Sequence, residues 1–330
     1  MKTNRLLLFS ILALFCGCIV SCDKDDKEGD EDELLGNDWV TVQQDVTRAM
    51  NDVKFKAFCI ANYDLNKDGK VSAKEALAVD TMNISNKGIS SVKGIEYFPF
   101  LVEFQCASNN LTSLDLSGCV ELKALVCTLN ELTSLDVSNC RKLEVLVCPY
   151  NALKSIDISS CTALKEFDCK ANNQLLSIDV SKCIVLTDLN CTYTNITSLD
   201  LSKNTALEYL SCDRNQLTTL DLSNCPALYY LICDSNLIQS INISKCTALK
   251  YLYCSSNLLT SLDLSGCTNL SELNCSSNKL TSLDISNCLG FSDGGVICTD
   301  NKELTTLWLK TGQTIHFLAK DVTTVIRHKN

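Results

Sequence analysis

A repeating pattern of apolar and polar positions runs through most of this sequence. Each copy contains a segment of the form LxLxC, and its cysteine recurs ten times from Cys106 to Cys298, at intervals of 21, 22 or 23 residues. Alternation of this kind predicts a short strand whose leucine and cysteine side chains point inward. One such strand cannot bury its apolar face alone. The pattern therefore predicts parallel strands stacked about 4.8 Å apart in a solenoid.

The full consensus of the copies is LxxLxCxxNxLTSLDLSxCxxL, as residues 228–249 illustrate. It resembles the leucine-rich repeat, LxxLxLxxNxL, with cysteine in place of the third leucine, and its TSLDLS tail is similar to internalin-like bacterial repeats. The resemblance covers about residues 82–309. It implies an α/β solenoid, a leucine-rich-repeat right-handed superhelix with parallel strands on its concave face. We expect residues 81–309 to form it from about ten repeats of 21–23 residues.

Two polar columns accompany the repeats. An asparagine follows each strand, except where Thr194 replaces it, and its amide is expected to turn inward and satisfy backbone groups of adjacent turns. An aspartate lies in each TSLDLS tail, apart from Asn242, and is expected to accept hydrogen bonds from backbone N–H groups or from Ser and Thr hydroxyls. A second calcium-binding ladder of these aspartates is the weaker alternative.

Cysteine is unusually frequent, with 22 in the chain. Ten occupy the strand position and eight a turn position, where Asn204 replaces cysteine in one copy. The spacing fits no zinc pattern. Neighbouring cysteines in a ladder would have parallel Cβ vectors that do not converge, which disfavours disulfide bonds although the Cα spacing permits them. We therefore predict buried free thiols that pack as small apolar side chains. Extensive disulfides are the alternative.

The N-terminal residues have the pattern of an export signal. Lys2 and Arg5 precede a short apolar run that ends in Ile19-Val20-Ser21-Cys22, which resembles a bacterial lipobox. This resemblance implies a lipoprotein signal peptide over residues 1–21 and lipidation of Cys22. A transmembrane helix is the alternative, but the run is short for a span of about 20 residues.

An acidic tether is predicted over residues 22–38. Its DKDDKEGDEDE run contains eight acids and two lysines, and such a run stays solvated through self-repulsion. An acidic stretch after a lipidated cysteine also resembles the surface-export signal of lipoproteins in some Gram-negative bacteria. The resemblance implies a protein anchored by lipid in the outer membrane and exposed at the cell surface. A plain periplasmic linker is the alternative.

Residues 39–80 are not repetitive and are expected to form a helical N-terminal cap. They contain a twelve-residue segment, residues 64–75, that matches an EF-hand loop. Oxygen ligands at alternating positions suit Ca²⁺, and a glycine at position 6 allows the sharp turn. The expected ligands are Asp64, Asn66, Asp68, the carbonyl of Lys70, Ser72 and Glu75. We predict a structural Ca²⁺ site; a loop kept only as a turn is the alternative.

Charge and histidine content exclude several functions. The net charge of −10 argues against a nucleic-acid partner, because phosphate contacts need basic clusters. Nucleophilic catalysis with a histidine base has no candidate inside the repeats, because both histidines, His316 and His328, lie in the C-terminal tail. We therefore expect a protein that is not an enzyme.

Tyrosines are concentrated at outward-facing strand positions in three consecutive repeats. The predicted ligand-binding patch consists of Tyr209, Tyr230, Ile232, Tyr251 and Tyr253, bordered by Asp213, Arg214 and Asp234. Clustered tyrosines favour recognition of protein or glycan surfaces. The alternative is that aromatic residues simply suit strands and stack on their neighbours.

The expected function is recognition of a protein ligand, host or bacterial, by an adhesin-like surface lipoprotein. A glycan- or nutrient-binding accessory lipoprotein is the alternative. At the C-terminus, residues 310–330 are expected to cap the solenoid, with a β-hairpin that turns at Thr311-Gly312.

Overall fold

The computed structural model describes residues 43–292 and 294–329. The predicted signal peptide, the lipidation site at Cys22 and the acidic tether lie outside these residues. In the part of the chain that is described, no helix is long and apolar enough to cross a membrane.

Parallel strands of mostly three residues form the body of the protein. Within the described residues, one sheet contains twelve of the seventeen strands, and each strand pairs in parallel with the next. In chain order its strands are β1 (Thr81–Asn83), β2 (Glu103–Gln105), β3 (Ala124–Val126), β4 (Val145–Val147), β5 (Glu166–Asp168), β6 (Asp188–Asn190), β7 (Tyr209–Ser211), β9 (Tyr230–Ile232), β11 (Tyr251–Tyr253), β12 (Glu272–Asn274), β14 (Gly295–Ile297) and β16 (Phe317–Ala319). The predicted solenoid of stacked parallel strands is therefore confirmed.

Two smaller parallel sheets lie on the TSLDLS side of the repeats. One pairs β8 (Thr219–Asp221) with β10 (Ser240–Asn242). The other contains β13 (Ser282–Asp284), β15 (Thr306–Lys310) and β17 (Val325–Lys329). The apolar core runs between these segments and the main sheet.

Each strand of the main sheet except β16 buries its middle residue, and Leu318 of β16 is partly buried. Leu231, for example, is fully buried, while Tyr230 and Ile232 on either side face outward and are half-buried. This follows from the two-residue period of a strand. We call the outward surface formed by the first and third residues of these strands the sheet face.

The asparagine column links successive turns as predicted. Asn236 donates from Nδ2 to the carbonyl oxygens of Cys212 and Cys233 at 3.0 and 3.1 Å, and its Oδ1 accepts from the N–H of Leu217 at 3.0 Å. Its side chain is buried. The same three contacts recur at Asn109, Asn130, Asn151, Asn172, Asn215, Asn257, Asn278 and Asn301.

Thr194 interrupts this column next to the repeat that has one extra residue. In that 22-residue repeat the N–H of Leu175 donates to the carbonyl of Asn172 at 2.9 Å, so it needs no asparagine from the next turn. Thr194 donates its hydroxyl to the carbonyl of Cys191 at 2.9 Å. The insertion and the substitution therefore compensate each other.

The aspartate column closes the turns, also as predicted. In the eight repeats that carry it, Oδ1 accepts from the N–H of the serine two residues later, as in Asp263 with Ser265 at 2.9 Å. These hydrogen bonds hold the pKa of Asp136 and Asp200 below the ordinary range.

All nineteen cysteines of the described residues are buried and free, which confirms the free-thiol prediction for them. The turn cysteines donate from Sγ to backbone carbonyls of the preceding repeat, as Cys183 does to Cys161 at 3.6 Å. Asn204 keeps this function, because its Nδ2 donates to the carbonyls of Val180 and Cys183 at 3.0 and 2.9 Å. Its Oδ1 is the only buried side-chain oxygen or nitrogen without a partner in residues 43–292 and 294–329.

Each repeat places one residue in the left-handed region of φ, two positions after the strand cysteine. These ten residues have φ between 53° and 59°, and none is glycine: Ser108, Leu129, Tyr150, Ala171, Tyr193, Arg214, Ser235, Ser256, Ser277 and Asp300. They lie at one edge of the sheet face, and they turn the chain out of the strand.

The N-terminal cap is helical, as expected. Helix α1 (Val53–Tyr63) buries Phe55 and Cys59, and helix α2 (Ala73–Leu77) has Ser72 as its N-cap. The 3₁₀ turn Val46–Arg48 precedes them. The cap is joined to the first repeat by Lys54, whose Nζ donates to the carbonyl of Gly88 at 2.8 Å. The Tyr63 hydroxyl donates to the carbonyl of Thr81 at 3.3 Å, so the cap also contacts the first strand of the main sheet.

The predicted C-terminal hairpin is wrong. β15 and β16, which flank Thr311-Gly312, do not pair with each other: β15 pairs in parallel with β13 and β17, and β16 pairs in parallel with β14. The two segments lie on opposite sides of the core. The C-terminal residues thus continue the solenoid.

Candidate binding face and calcium loop

The structure brings the predicted tyrosines together on the sheet face. Parallel register aligns Tyr209 of β7, Tyr230 of β9 and Tyr251 of β11 at the same position of successive strands. Tyr253 lies two residues further along β11, opposite Ile232. All five side chains are half-buried, with one surface open to solvent.

The rings contact each other across the strands. Tyr209 and Tyr230 stack with centroids 5.3 Å apart and planes 19° apart. Tyr230 is also 5.2 Å from Tyr251 and 5.6 Å from Tyr253. Aromatic pairs at these distances add to the free energy of folding and hold the rings in place. We call Tyr209, Tyr230, Tyr251 and Tyr253 the tyrosine row; Tyr230 is its centre.

The tyrosine hydroxyls stay protonated. Burial raises the pKa of Tyr209 and of Tyr253 above the ordinary tyrosine value. The Tyr253 hydroxyl donates to the Glu272 carboxylate. The row therefore offers flat apolar rings with neutral polar tips, a combination that is enriched at protein interfaces.

The predicted border residues are partly held by the fold. Asp213 accepts from the hydroxyl of Thr192 at 2.7 Å, and Asp234 accepts from that of Ser255 at 2.7 Å. Arg214 is exposed, and its Nε is 3.9 Å from Asp213. The two aspartates therefore stabilise neighbouring turns, and Arg214 is the border residue most open to a ligand.

A group of acids before the row was not singled out by the sequence. Glu166 and Asp168 of β5 lie beside Asp188 of β6, which neighbours Tyr209. Burial, followed by the Asp188 and Asp168 charges, raises the pKa of Glu166 to about 7, and burial raises that of Asp168 to about 6. The stacking of acids in successive repeats was visible in the sequence, but their burial was not.

Two further residues join the row at its edge. The Tyr229 ring meets the Tyr251 ring edge-on at 5.4 Å, and the Lys250 ammonium lies 5.4 Å from the centre of the Tyr251 ring. These contacts depend on side-chain rotamers at the end of the strand. In the sequence, the adjacent tyrosines Tyr229 and Tyr230 were the signal from which contacts at this edge could have been predicted.

The EF-hand-like loop closes through its own polar groups. The N–H of Asp68 donates to Asp64 at 3.1 Å and to Asn66 at 2.9 Å. Gly69, at the sixth position, has a φ of 83°. Hydrogen bonds from Ser72, Asn66 and Leu65 outweigh the effect of burial on Glu75 and lower its pKa.

These contacts do not assemble a complete cluster of charged ligands. Glu75 accepts from the N–H of Leu65 at 2.8 Å and of Ser72 at 2.8 Å. Across residues 43–292 and 294–329, no group of three or more His, Cys, Asp or Glu side chains is arranged to hold a metal ion. The chain order and the oxygen donors fit Ca²⁺, but Ca²⁺ binding at this loop stays a prediction.

Comparison with known proteins identifies the type of repeat. Residues 247–287 match the family described as leucine-rich repeats in two copies. The functional domain of InlJ from Listeria monocytogenes, which includes a cysteine ladder, is 31% identical, with a TM-score of 0.74. The match covers 88% of this chain and 64% of that one, so this chain spans less than two thirds of its relative. A search of curated protein sequences found no match.

More distant structures share the fold alone. An internalin, InlF from Listeria monocytogenes, is 19% identical over 87% of this chain and 98% of its own, with a TM-score of 0.60. The Leptospira interrogans leucine-rich-repeat protein LIC12759 is 22% identical over 62% of this chain and 57% of its own, with a TM-score of 0.59. This chain is therefore built of leucine-rich repeats and has the leucine-rich-repeat solenoid fold, with internalins among its structural neighbours.

Proposed function

We propose that this chain is a non-catalytic surface protein that recognises a protein ligand through its sheet face, the concave side of the solenoid. The observation that carries the proposal is the tyrosine row, in which four rings contact each other and remain open on one surface. Binding energy at protein interfaces concentrates in a few aromatic and arginine residues. Tyr230 at the centre of the row and Arg214 at its border fit that role.

The fold and its neighbours support recognition of proteins. In a leucine-rich-repeat solenoid the core is filled by repeated apolar side chains, so variation is confined to outward positions. An adhesin-like role agrees with the internalin-like neighbours.

Attachment to the cell is the second part of the proposal. The lipobox-like sequence that ends at Cys22 supports a lipid anchor, and the acidic run after it supports display on the outer membrane. The lipid would be the only contact with the membrane. The tether would then separate the sheet face from the bilayer.

Replacement of Tyr230 by alanine is expected to remove ligand capture. The wild-type chain, Tyr230→Ala and Tyr150→Ala are used as baits against surface proteins of host and bacterial cells. Tyr150 is an exposed tyrosine outside the row, so Tyr150→Ala is the matched control. A captured protein is then purified, and its affinity for Tyr230→Ala should fall at least about tenfold, the loss typical of an interface hot spot.

Two outcomes would contradict the proposal. A ligand that binds Tyr230→Ala as tightly as wild type would place recognition elsewhere. A glycan array with signals that depend on Tyr230, together with no protein that does, would favour a glycan- or nutrient-binding lipoprotein. That alternative is supported by Glu272 and Asn274, which place a carboxylate and an amide beside Tyr253.

We also propose that the loop of residues 64–75 binds Ca²⁺ and stiffens the N-terminal cap. The support is that the side-chain oxygens of Asp64 and Asn66 converge on the N–H of Asp68, while the Asp68 carboxylate accepts from the N–H of Lys70. The loop joins α1 to α2, and α1 is itself bonded to the first repeat. Ca²⁺ would therefore stabilise the covered end of the core.

Calcium at millimolar concentration is expected to raise the melting temperature of the wild-type chain relative to EDTA. With a dissociation constant of about 0.1–1 mM, typical of extracellular sites, about 1 mM Ca²⁺ adds about 0.4–1.4 kcal/mol to the free energy of unfolding. Asp68→Asn keeps the side-chain shape and should abolish the gain, whereas Asp263→Asn, in a repeat turn, should retain it. Equal melting of wild type in calcium and in EDTA would refute the site.

A further inference from the structure

Beyond the tyrosine row, the sheet face contains a hollow. It lies between β12 and β16 and encloses about 300 Å³, with Tyr253, Glu272, Asn274, Gly295, Ile297 and Phe317 in its lining. Gly295 pairs with Glu272 on one side and Phe317 on the other, at the position that Tyr209, Tyr230 and Tyr251 occupy in their strands. The hollow thus lies in the same column of positions, with Glu272 between it and Tyr251.

The hollow exists because one strand lacks a side chain at this position. A Cβ atom at Gly295 would lie 3.2 Å from the Phe317 Cβ, inside the space between the two strands. Gly295 is the only glycine among the outward positions of the described main-sheet strands. Ile297 and the ring of Phe317, which is 55% exposed, make its walls largely apolar. An apolar side chain of a ligand can therefore be buried there.

The charge of the sheet face is one-sided. The first and third residues of the twelve described main-sheet strands include five acids but no lysine or arginine. The five acids are Glu103, Glu166, Asp168, Asp188 and Glu272. Three of the five lie together at the opposite end of the tyrosine row from the hollow. Because like charges placed opposite each other across strands are destabilising, a cationic partner would relieve that repulsion.

We propose that the ligand segment is extended and basic, with cationic side chains over Glu166 and Asp188, backbone across the tyrosine row, and an apolar side chain in the hollow beside Gly295. This rests on the proposed function of the sheet face. From β6 to β14 there are five strand spacings, about 24 Å. An extended chain covers that distance with about seven residues.

The pKa of Glu166, raised to about 7 by burial and by its acidic neighbours, agrees with this assignment. A cation beside the carboxylate favours its ionised form. The tyrosine row lies between the acids of β5 and β6 and the largely apolar hollow beside Gly295. This order gives a bound segment one direction along the sheet face. The basic residues and the apolar residue must then be separated by a fixed length of chain.

A phage-displayed library of random twelve-residue peptides, selected on the full chain, tests the proposal. Selected peptides should carry a net positive charge and an apolar residue about seven positions from a basic one. The double variant Glu166→Gln/Asp188→Asn, which keeps the side-chain shapes, should bind them at least about tenfold more weakly. Glu103→Gln removes a carboxylate from the same face outside the proposed contact and is the matched control.

Filling the hollow tests the other end. Gly295→Val, or Asn274→Phe if the first variant melts early, should weaken the same peptides by at least about tenfold. Peptides that need Tyr230 but are neutral or acidic, or that bind the charge and hollow variants normally, would overturn this assignment and leave the proposed function standing. A library that yields no peptide dependent on Tyr230 would contradict both.

Discussion

In the folded protein, none of the nineteen described cysteines is expected to react with iodoacetamide at a measurable rate. All are buried, and burial raises the pKa of Cys127 and Cys246 to about 12. The thiolate is the form that reacts. At pH 8, an exposed thiol with a pKa near 8.5 is therefore expected to react at least about a hundredfold faster than these buried thiols. Labelling in native buffer, followed by peptide mapping, reads each cysteine separately.

Unfolding provides the control. In concentrated guanidinium without reductant, all nineteen should be labelled in full, because no disulfide protects them. Any peptide that requires a reductant before it is labelled would identify a disulfide and refute the free-thiol interpretation at that position. Rapid labelling in native buffer would show instead that the ladder is open to solvent.

Asn236→Ala is expected to lower the free energy of unfolding by about 3–5 kcal/mol. The change leaves the N–H of Leu217 without a partner in a buried place. The carbonyls of Cys212 and Cys233 each lose one of two donors and keep the other, Asn215 and Asn257 respectively. The orphaned N–H costs about 1–3 kcal/mol, each lost hydrogen bond to a carbonyl costs about 0.5–1.5 kcal/mol, and the lost side chain adds a small cavity. Urea unfolding followed by circular dichroism measures the loss.

Two further variants sharpen this test. Asn236→Asp keeps an acceptor for Leu217 but no donor, so it should destabilise by a similar amount. Leu237→Ala changes the next residue, which is 48% exposed, and should stay within about 0.5 kcal/mol of wild type. Stability of Asn236→Ala within about 1 kcal/mol of wild type would show that the column does not hold the turns together.

The repeats could be predicted from the sequence because the interval between apolar residues matches the interval between buried positions in successive turns. A leucine or a cysteine at a fixed interval can only be buried if the strands stack in register, so the main sheet followed from spacing alone. The C-terminal hairpin failed for a related reason. Alternation around Thr311-Gly312 identifies strands but not their partners, and parallel pairing with earlier repeats leaves the same alternation as a hairpin.

The tyrosine row was predictable for the same reason as the core. Residues at equal offsets from the strand cysteine must be neighbours, which placed Tyr209, Tyr230 and Tyr251 together. The hollow was not predictable, because it depends on Gly295 in a 23-residue repeat and on Phe317, in a strand assigned to the hairpin. Nor was the burial of Glu166, which depends on the side chains around it.

The left-handed residue after each strand affects how the surface of such a protein can vary. A side chain in that conformation costs about 1 kcal/mol relative to glycine, yet ten repeats keep one. Tyr150, Tyr193 and Arg214 are among them, and all three side chains are exposed. Substitutions at the exposed positions among these ten can therefore change the surface beside the sheet face, while the buried leucines, cysteines and asparagines of the repeats stay the same.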